Sequence, residues 1–308
     1  MSPIRLAIVG LGKIARDQHL PAIAATDGIE LVAVASRNAG LDGVPRFDTL
    51  EELLAHGPQV DAVALCTPPQ VRREQAATAL AAGKHVLLEK PPGATVSEIA
   101  PLLAAAQRNG KTLFATWHSR FAPAVEPARE LLAGRGIRSV AVVWKEDVRV
   151  WHPGQDWIFE PGGLGVFDPG INALSILTRL LPRPFFLTGA TLAFPENRDA
   201  PIAATLSFAD DAGLPIRAEL DFLQTGPQTW DIHVETDAGG LTLSGGGARL
   251  LEEGRVLVNE KEAEYSGIYA RFAALVAGGA SDVDLAPLIH VADAFMLGRR
   301  AVVAPFDW

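Results

Sequence analysis

The chain has 308 residues, 48% hydrophobic and 20% charged, and its 27 lysines and arginines against 36 aspartates and glutamates leave a net charge of −9. That length exceeds one ordinary hydrophobic core and predicts two domains, with the composition of a soluble globular protein. An acidic balance without a basic block disfavours nucleic acid or an anionic membrane as partner, and the single Cys66 rules out an internal disulfide.

No Cys/His cluster has zinc-ligand spacing, so no metal is expected, and Cys66 within the apolar run 61–66 reads as a small buried hydrophobe. The opening MSPIRLAIVG lacks the basic start and long apolar stretch of a signal peptide. No segment reaches the roughly 18 apolar residues that span a bilayer, and a cytoplasmic protein is expected.

Residues 5–10 form a short, almost continuous apolar run, as in a strand covered on both faces. A helical pattern follows from Lys13 to about Ala25, then a strand at 30–36. Thr49-Leu-Glu-Glu52 is a capping box opening a short helix. A third strand spans 61–67, and the Ala-rich helix after it stops at Gly83. A fourth strand covers 85–89, Thr95-Val-Ser-Glu98 is a second capping box, and 112–117 closes the series. Strands alternating with helices predict an α/β fold: a doubly wound parallel sheet over residues 1–120.

The first turn reads Gly10-Leu-Gly12-Lys13-Ile14-Ala15, the G-x-G-x-x-A form of the dinucleotide fingerprint. Gly10 permits a tight turn, Gly12 lets backbone N–H groups approach a pyrophosphate, and Ala15 lets helix and strand pack closely. An NAD enzyme usually ends its second strand with an acid for the ribose 2′-OH, whereas Ser36 and Arg37 stand there. An acid would repel a 2′-phosphate and Arg37 can pair with it, so NADP is favoured, with some use of NAD. The competing reading of Arg37 is an exposed loop arginine.

The run HVLLEKPPGA at 85–94 delivers Glu89 and Lys90 to a strand end, where Pro91-Pro92 forbids continuation and fixes the turn. Beyond Arg120 the pattern changes, and residues 121–308 are read as a second domain. A helix is expected over 123–136, a long alternating strand over 139–151, and a helix from Asn172 to Leu181. From Phe185 to Asn259, strand-like runs alternate with PENRDAP, DDAGLP, TGPQT, DAGG and SGGG, the turn chemistry of a large open, mostly antiparallel sheet. Helices near 266–278 and 286–303 finish the chain.

Three motifs then line up: the glycine fingerprint at 10–15, Glu89-Lys90-Pro91, and GGLGVFDPGIN at 162–172. Together they resemble the Gfo/Idh/MocA oxidoreductases, across essentially the whole chain and most of all the bacterial aldose 1-dehydrogenases that act on L-arabinose and D-galactose. The resemblance implies an NAD(P)-binding Rossmann domain joined to a substrate-binding and oligomerisation domain, whose sheet can build a homodimer. It also implies a cis peptide before Pro91, a catalytic Lys90 that meets both nucleotide and sugar, and cofactor contacts from Thr67, Pro68 and Glu89. The commoner family pattern ends Asp-x-Gly-x-His, whereas here Asp168-Pro-Gly170-Ile-Asn172 replaces the histidine. Asn172 can orient a hydroxyl but cannot exchange a proton, which leaves that task to Asp168 or Lys90.

Oxidation of an aldopyranose at C1 removes the hydroxyl proton while hydride leaves for the nicotinamide. Asp168 is the leading general base, with Lys90 holding O1; the reverse assignment needs a neutral Lys90. Asp168 as a helix cap and Lys90 as a surface lysine are the plain structural alternatives. A sugar also needs a flat apolar face and polar partners, and the resemblance singles out His118, Glu146, Trp151, His152 and Trp230. Trp151 and Trp230 could equally be core, and Glu146 a solvated strand position. Two further readings remain open: oxidation at another carbon of a sugar or cyclitol, and a nucleotide-binding regulator without turnover.

Overall fold

The computed structural model describes residues 2–261 and 263–308, which form two compact units. The first holds the chain up to His118 together with Tyr265–Asp284; the second holds Ser119–Glu264 and Leu285–Trp308.

In the first unit the alternation of strand and helix is present as the pattern predicts. In chain order come β1 (Ile4–Val9), α1 (Leu20–Ala24), β2 (Ile29–Ala35), β3 (Arg46–Phe47), α2 (Leu50–His56), β4 (Ala62–Leu65), α3 (Pro69–Ala81), β5 (His85–Leu88), α4 (Ile99–Arg108) and β6 (Leu113–Ala115). The six strands pair in parallel in the order β3-β2-β1-β4-β5-β6, a doubly wound sheet. β4 is buried along its whole length, which its unbroken apolar sequence requires. The two-residue β3 had no signal in the sequence.

Local chemistry explains the smaller departures. Thr49 caps α2 by accepting from Glu52 N, but the returning Glu52 carboxylate takes Asp48 N rather than the Thr49 amide, so the box closes one residue early. Thr95 forms no capping bond, and a single 3₁₀ turn (Val96–Glu98) leads into α4 instead. Ahead of α1 the chain makes a π-helical turn from Ala15 to His19, with Leu20 N bonded to Ala15 O. Pro21 has no N–H to give to the carbonyl four residues back, which favours such a widened turn.

The second unit carries α5 (Val125–Leu132), β7 (Ile137–Lys145), α6 (Val148–Trp151), α7 (Phe167–Leu180) and seven strands, β8 (Phe185–Pro195), β9 (Ala203–Asp210), β10 (Pro215–Asp221), β11 (Thr229–Thr236), β12 (Gly239–Ser244), β13 (Arg249–Glu252) and β14 (Arg255–Asn259). After α8 (Glu264–Gly278), which joins the first unit from Tyr265 onward, α9 (Ala286–Leu297) and β15 (Arg299–Val303) complete it. Nine strands run β14-β13-β12-β11-β7-β10-β9-β8-β15, antiparallel except for β7–β10 and β8–β15. Burial alternates along β10, one face inward and one toward solvent. Gly170 lets α7 lie close on that inward face, since a Cβ there would stand 2.6 Å from the Leu220 side chain.

Three expectations need correcting. The strand expected over 139–151 ends at Lys145, because Asp147 accepts from Arg149 N and starts α6. The helix expected from Asn172 begins at Phe167, so Asp168 lies inside its first turn. The last helix stops at Leu297, where Gly298 approaches Ala294 O too closely for a side chain, and the chain continues as edge strand β15. Among the described residues no helix is long and apolar enough to cross a membrane.

Candidate active site

In the first unit the expected nucleotide residues fall at the C-terminal ends of parallel strands, where such sheets bind ligands. Gly10 follows β1 with φ +88°, and a Cβ there would lie 2.8 Å from Thr67 Cγ2, so the turn accepts only glycine. Gly12 is the opposite case: a Cβ would meet nothing within 4 Å, leaving its backbone open to an approaching phosphate. Ala15 is fully buried against the sheet, while Lys13 and Ile14 are exposed and Lys13 pairs with Asp17 one turn on. A cradle of this kind fits a dinucleotide.

Ser36 is half-buried after β2 and donates its amide to Phe47 O, while Arg37 is exposed. After β4, the Thr67 hydroxyl bonds Gln75 Oε1 at 2.6 Å and Pro68 precedes α3. Lys90 is half-buried beyond β5 and is joined to Pro91 by a cis peptide, as the resemblance implies.

Glu89 turns inward and is only 3% exposed. Its Oε1 accepts from the Tyr265 hydroxyl at 2.7 Å and lies 3.2 Å from His19 Nε2, while Oε2 accepts the Lys90 amide at 2.6 Å. His19 Nδ1 sits 2.7 Å from the Tyr269 hydroxyl. Half-buried His118 stacks on Tyr265 with ring centroids 5.4 Å apart. Burial pushes the Glu89 carboxyl up, but the hydrogen bond and charge of His19, the charge of His118 and the Tyr265 hydroxyl outweigh it and hold the pKa at about 2. Burial likewise opposes charge on His19, yet the Cys66 and Tyr269 side chains and the bond to Glu89 raise it well above the ordinary value.

The second unit gathers the remaining expected residues into one cluster. Asp168 is buried in the first turn of α7, with Oδ2 3.5 Å from His152 Nε2. The same nitrogen is 3.9 Å from Glu146 Oε1, so one imidazole faces two carboxylates. Glu146 is 2% exposed and its Oε2 accepts from Trp230 Nε1 at 2.8 Å. Trp230 lies opposite Trp144 in the β11–β7 register, and Trp151 tilts over it at 4.9 Å and 51°. Trp151 is an exposed rim residue, not core, at 37%. Half-buried Asn172 stands four residues after Asp168, on the same side of α7. The cluster combines two buried carboxylates, a histidine and a pair of tryptophans.

Sequence reasoning passed over His19, Tyr265 and Tyr269, and noted Arg72 after Thr67-Pro68 without assigning it a catalytic role. His19 had a usable signal, since it shares the buried helical stripe of Ala15, Ala22 and Ile23. Arg72 likewise lies on the buried face of α3 with Pro69, Ala76, Ala79 and Leu80. The two tyrosines come from a distant helix, and nothing local marks them.

The model of an oxidoreductase family with an NAD-binding Rossmann fold matches residues 4–116. Over 306 residues, 99% of each chain, the sequence is 48% identical to a galactose 1-dehydrogenase from Pseudomonas fluorescens. The chain belongs to the Gfo/Idh/MocA oxidoreductases. Within that family, the crystal structure of a D-galactose-1-dehydrogenase from Rhizobium etli is 61% identical and superposes with a TM-score of 0.96, covering 100% of this chain and 99% of that one. A 3-ketoreductase from Actinomadura kijaniata, solved with TDP-benzene and NADP, shares the fold at 21% identity and a TM-score of 0.83, covering 98% of this chain and 100% of that one. The matched NAD-binding Rossmann model spans the cradle at Gly10–Ala15.

Proposed function

We propose that this enzyme oxidises an aldopyranose, D-galactose or L-arabinose, at C1 to the aldonolactone, using NADP in preference to NAD. The observation that carries this reading is the Asp168–His152–Glu146–Trp230 cluster, in a chain nearly half identical, end to end, to a galactose 1-dehydrogenase. A dinucleotide held at Gly10–Ala15 would supply the hydride acceptor for C1.

The chain's own residues handle the proton and the sugar. Asp168 takes the anomeric hydroxyl proton, and its burial beside His152 keeps it out of bulk water. Lys90 donates to O1, and Asn172 orients a neighbouring hydroxyl without exchanging a proton. Trp151 and Trp230 offer ring faces to the C–H side of the pyranose, while Glu146, His152 and His118 accept or donate to hydroxyls. Gly10, Gly12, Lys13, Ile14 and Ala15 hold the pyrophosphate; Thr67 and Pro68 border the nicotinamide side, and Ser36 with Arg37 receive the 2′-phosphate. D-Galactose and L-arabinose share their ring stereochemistry and differ at C5, so one site serves both.

An initial-rate panel of pentoses and hexoses with both nucleotides tests the reading. The expected result is rapid nucleotide reduction with D-galactose or L-arabinose and a lactone product that hydroxylamine opens to its hydroxamate. A stable ketone would move the oxidation to another carbon, and nucleotide binding without turnover on any aldose would favour a regulator.

A further inference from the structure

We infer that Arg72 is a positioning residue that fixes the backbone on both sides of Lys90 and ties it to the end of β4. The inference rests on the catalytic role proposed for Lys90. The observation is a three-way grip: Arg72 Nη1 donates to the carbonyls of Glu89 and Pro91, and Nη2 donates to the carbonyl of Thr67.

Arg72 stands in an unfavourable place for a cation. It lies in the first turn of α3, at the positive end of the helix dipole, and is only 3% exposed. A buried guanidinium persists there when strong acceptors surround it, and three convergent carbonyls provide them. Its planar fork reaches them from two separate nitrogens held in one plane, where an ammonium would have to bond all three from a single point.

What the grip holds is the stretch that the sheet no longer holds. β5 ends at Leu88, and Glu89 N makes the last ladder-like bond, to Leu65 O at 3.2 Å. From there Arg72 fastens the carbonyls of residues 89 and 91, and the Glu89 carboxylate fastens the Lys90 amide between them. The peptide groups around Lys90 are thus fixed in orientation, and with them the direction in which the side chain leaves the strand end. The third bond, to Thr67, sets that turn against the strand end proposed to border the nicotinamide.

The test uses Arg72→Ala and Arg72→Lys in the full-length enzyme, with steady-state kinetics, NADPH affinity and amide hydrogen exchange at Leu88, Glu89, Lys90 and Gly93. For Arg72→Ala, kcat should fall about 10- to 100-fold, the scale of a displaced catalytic group. NADPH affinity should change by less than about threefold, separating positioning from loss of the cofactor site. Exchange at the four amides should quicken about tenfold while the central strands stay protected. Millimolar guanidinium should restore part of both kcat and protection in Arg72→Ala. Arg72→Lys should show the same local loss, and it decides the matter if the alanine variant does not fold. Unchanged kcat and protection in either folded variant, or a loss of protection spread across the whole unit, would overturn the assignment. Should the wild-type enzyme oxidise no aldose, the exchange and its recovery with guanidinium still decide the grip, so the two failures are told apart.

Discussion

Trp230 Nε1 and Glu146 Oε2 are 2.8 Å apart, and this bond joins an aromatic ring to a buried carboxylate. Trp230→Phe keeps the ring and removes the donor, leaving Glu146 with one fewer hydrogen bond in a buried setting. A hydrogen bond to a charged group is worth about 1.5–3 kcal/mol, so kcat/KM for the sugar should fall about 10- to 100-fold. Initial rates at varied sugar should assign the loss mainly to KM. An unaltered kcat/KM would show that the pair has no part in sugar binding.

Asp168→Asn removes the proposed proton acceptor while preserving shape. General-base removal costs about 10²–10⁴-fold in kcat, and nucleotide affinity should not follow, because the glycine cradle belongs to the other unit. Single-turnover rates with saturating sugar would check this. Full turnover in the variant would pass the proton-accepting role to Lys90.

The buried Glu89–His19 pair makes stability depend on pH in a calculable direction. The His19 pKa is raised above its unfolded value of 6.5, so its contribution is complete below that pH and is lost as pH rises through the higher folded value. Glu89 is lowered from 4.5 to about 2, so its contribution is present above 4.5 and is lost as pH falls through that range. Urea unfolding should therefore show a plateau between these limits and a decline on the alkaline side. His19→Gln should abolish the alkaline decline and destabilise by about 3–5 kcal/mol on the plateau, the cost of leaving one partner of a buried pair behind. An alkaline decline of the same size in the variant would exclude His19 as its source.

Arg37→Ala should weaken NADP and leave NAD almost untouched. The loss should be about 1.5–3 kcal/mol, or roughly 10- to 100-fold in KM for NADP. Equal losses with both nucleotides would mean that Arg37 does not read the 2′-phosphate.

The parallel sheet, β3 apart, was legible because its strands are largely buried apolar runs bounded by turn residues. The glycine cradle and the lysine at the end of β5 were legible for the same reason, since both sit where a pattern stops. The second unit was harder to read. The alternation of 139–151 looked like one strand because nothing in period-two patterning shows that Asp147 will cap its own chain and start α6. That cap turns Trp151 and His152 out of the sheet and toward Asp168 and Trp230. The network around Glu89 was beyond local reading, since Tyr265 reaches that carboxylate across 176 positions. Such contacts follow from topology, and no window of sequence contains both partners.

The membership of Tyr265–Asp284 in the first unit has a consequence for biosynthesis. The edge strand β6 is completed by Asp282, which accepts from Ala115 N and donates to Leu113 O, and Trp117 Nε1 is satisfied by Asp284 O. A ribosome that has released the six parallel strands has therefore not yet released their seal. The Rossmann half waits, with Glu89 and His19 lacking their tyrosines, until the chain has been made through Asp284. A gene fragment ending at His118 would inherit that waiting state permanently, so this nucleotide-binding half is no portable cassette.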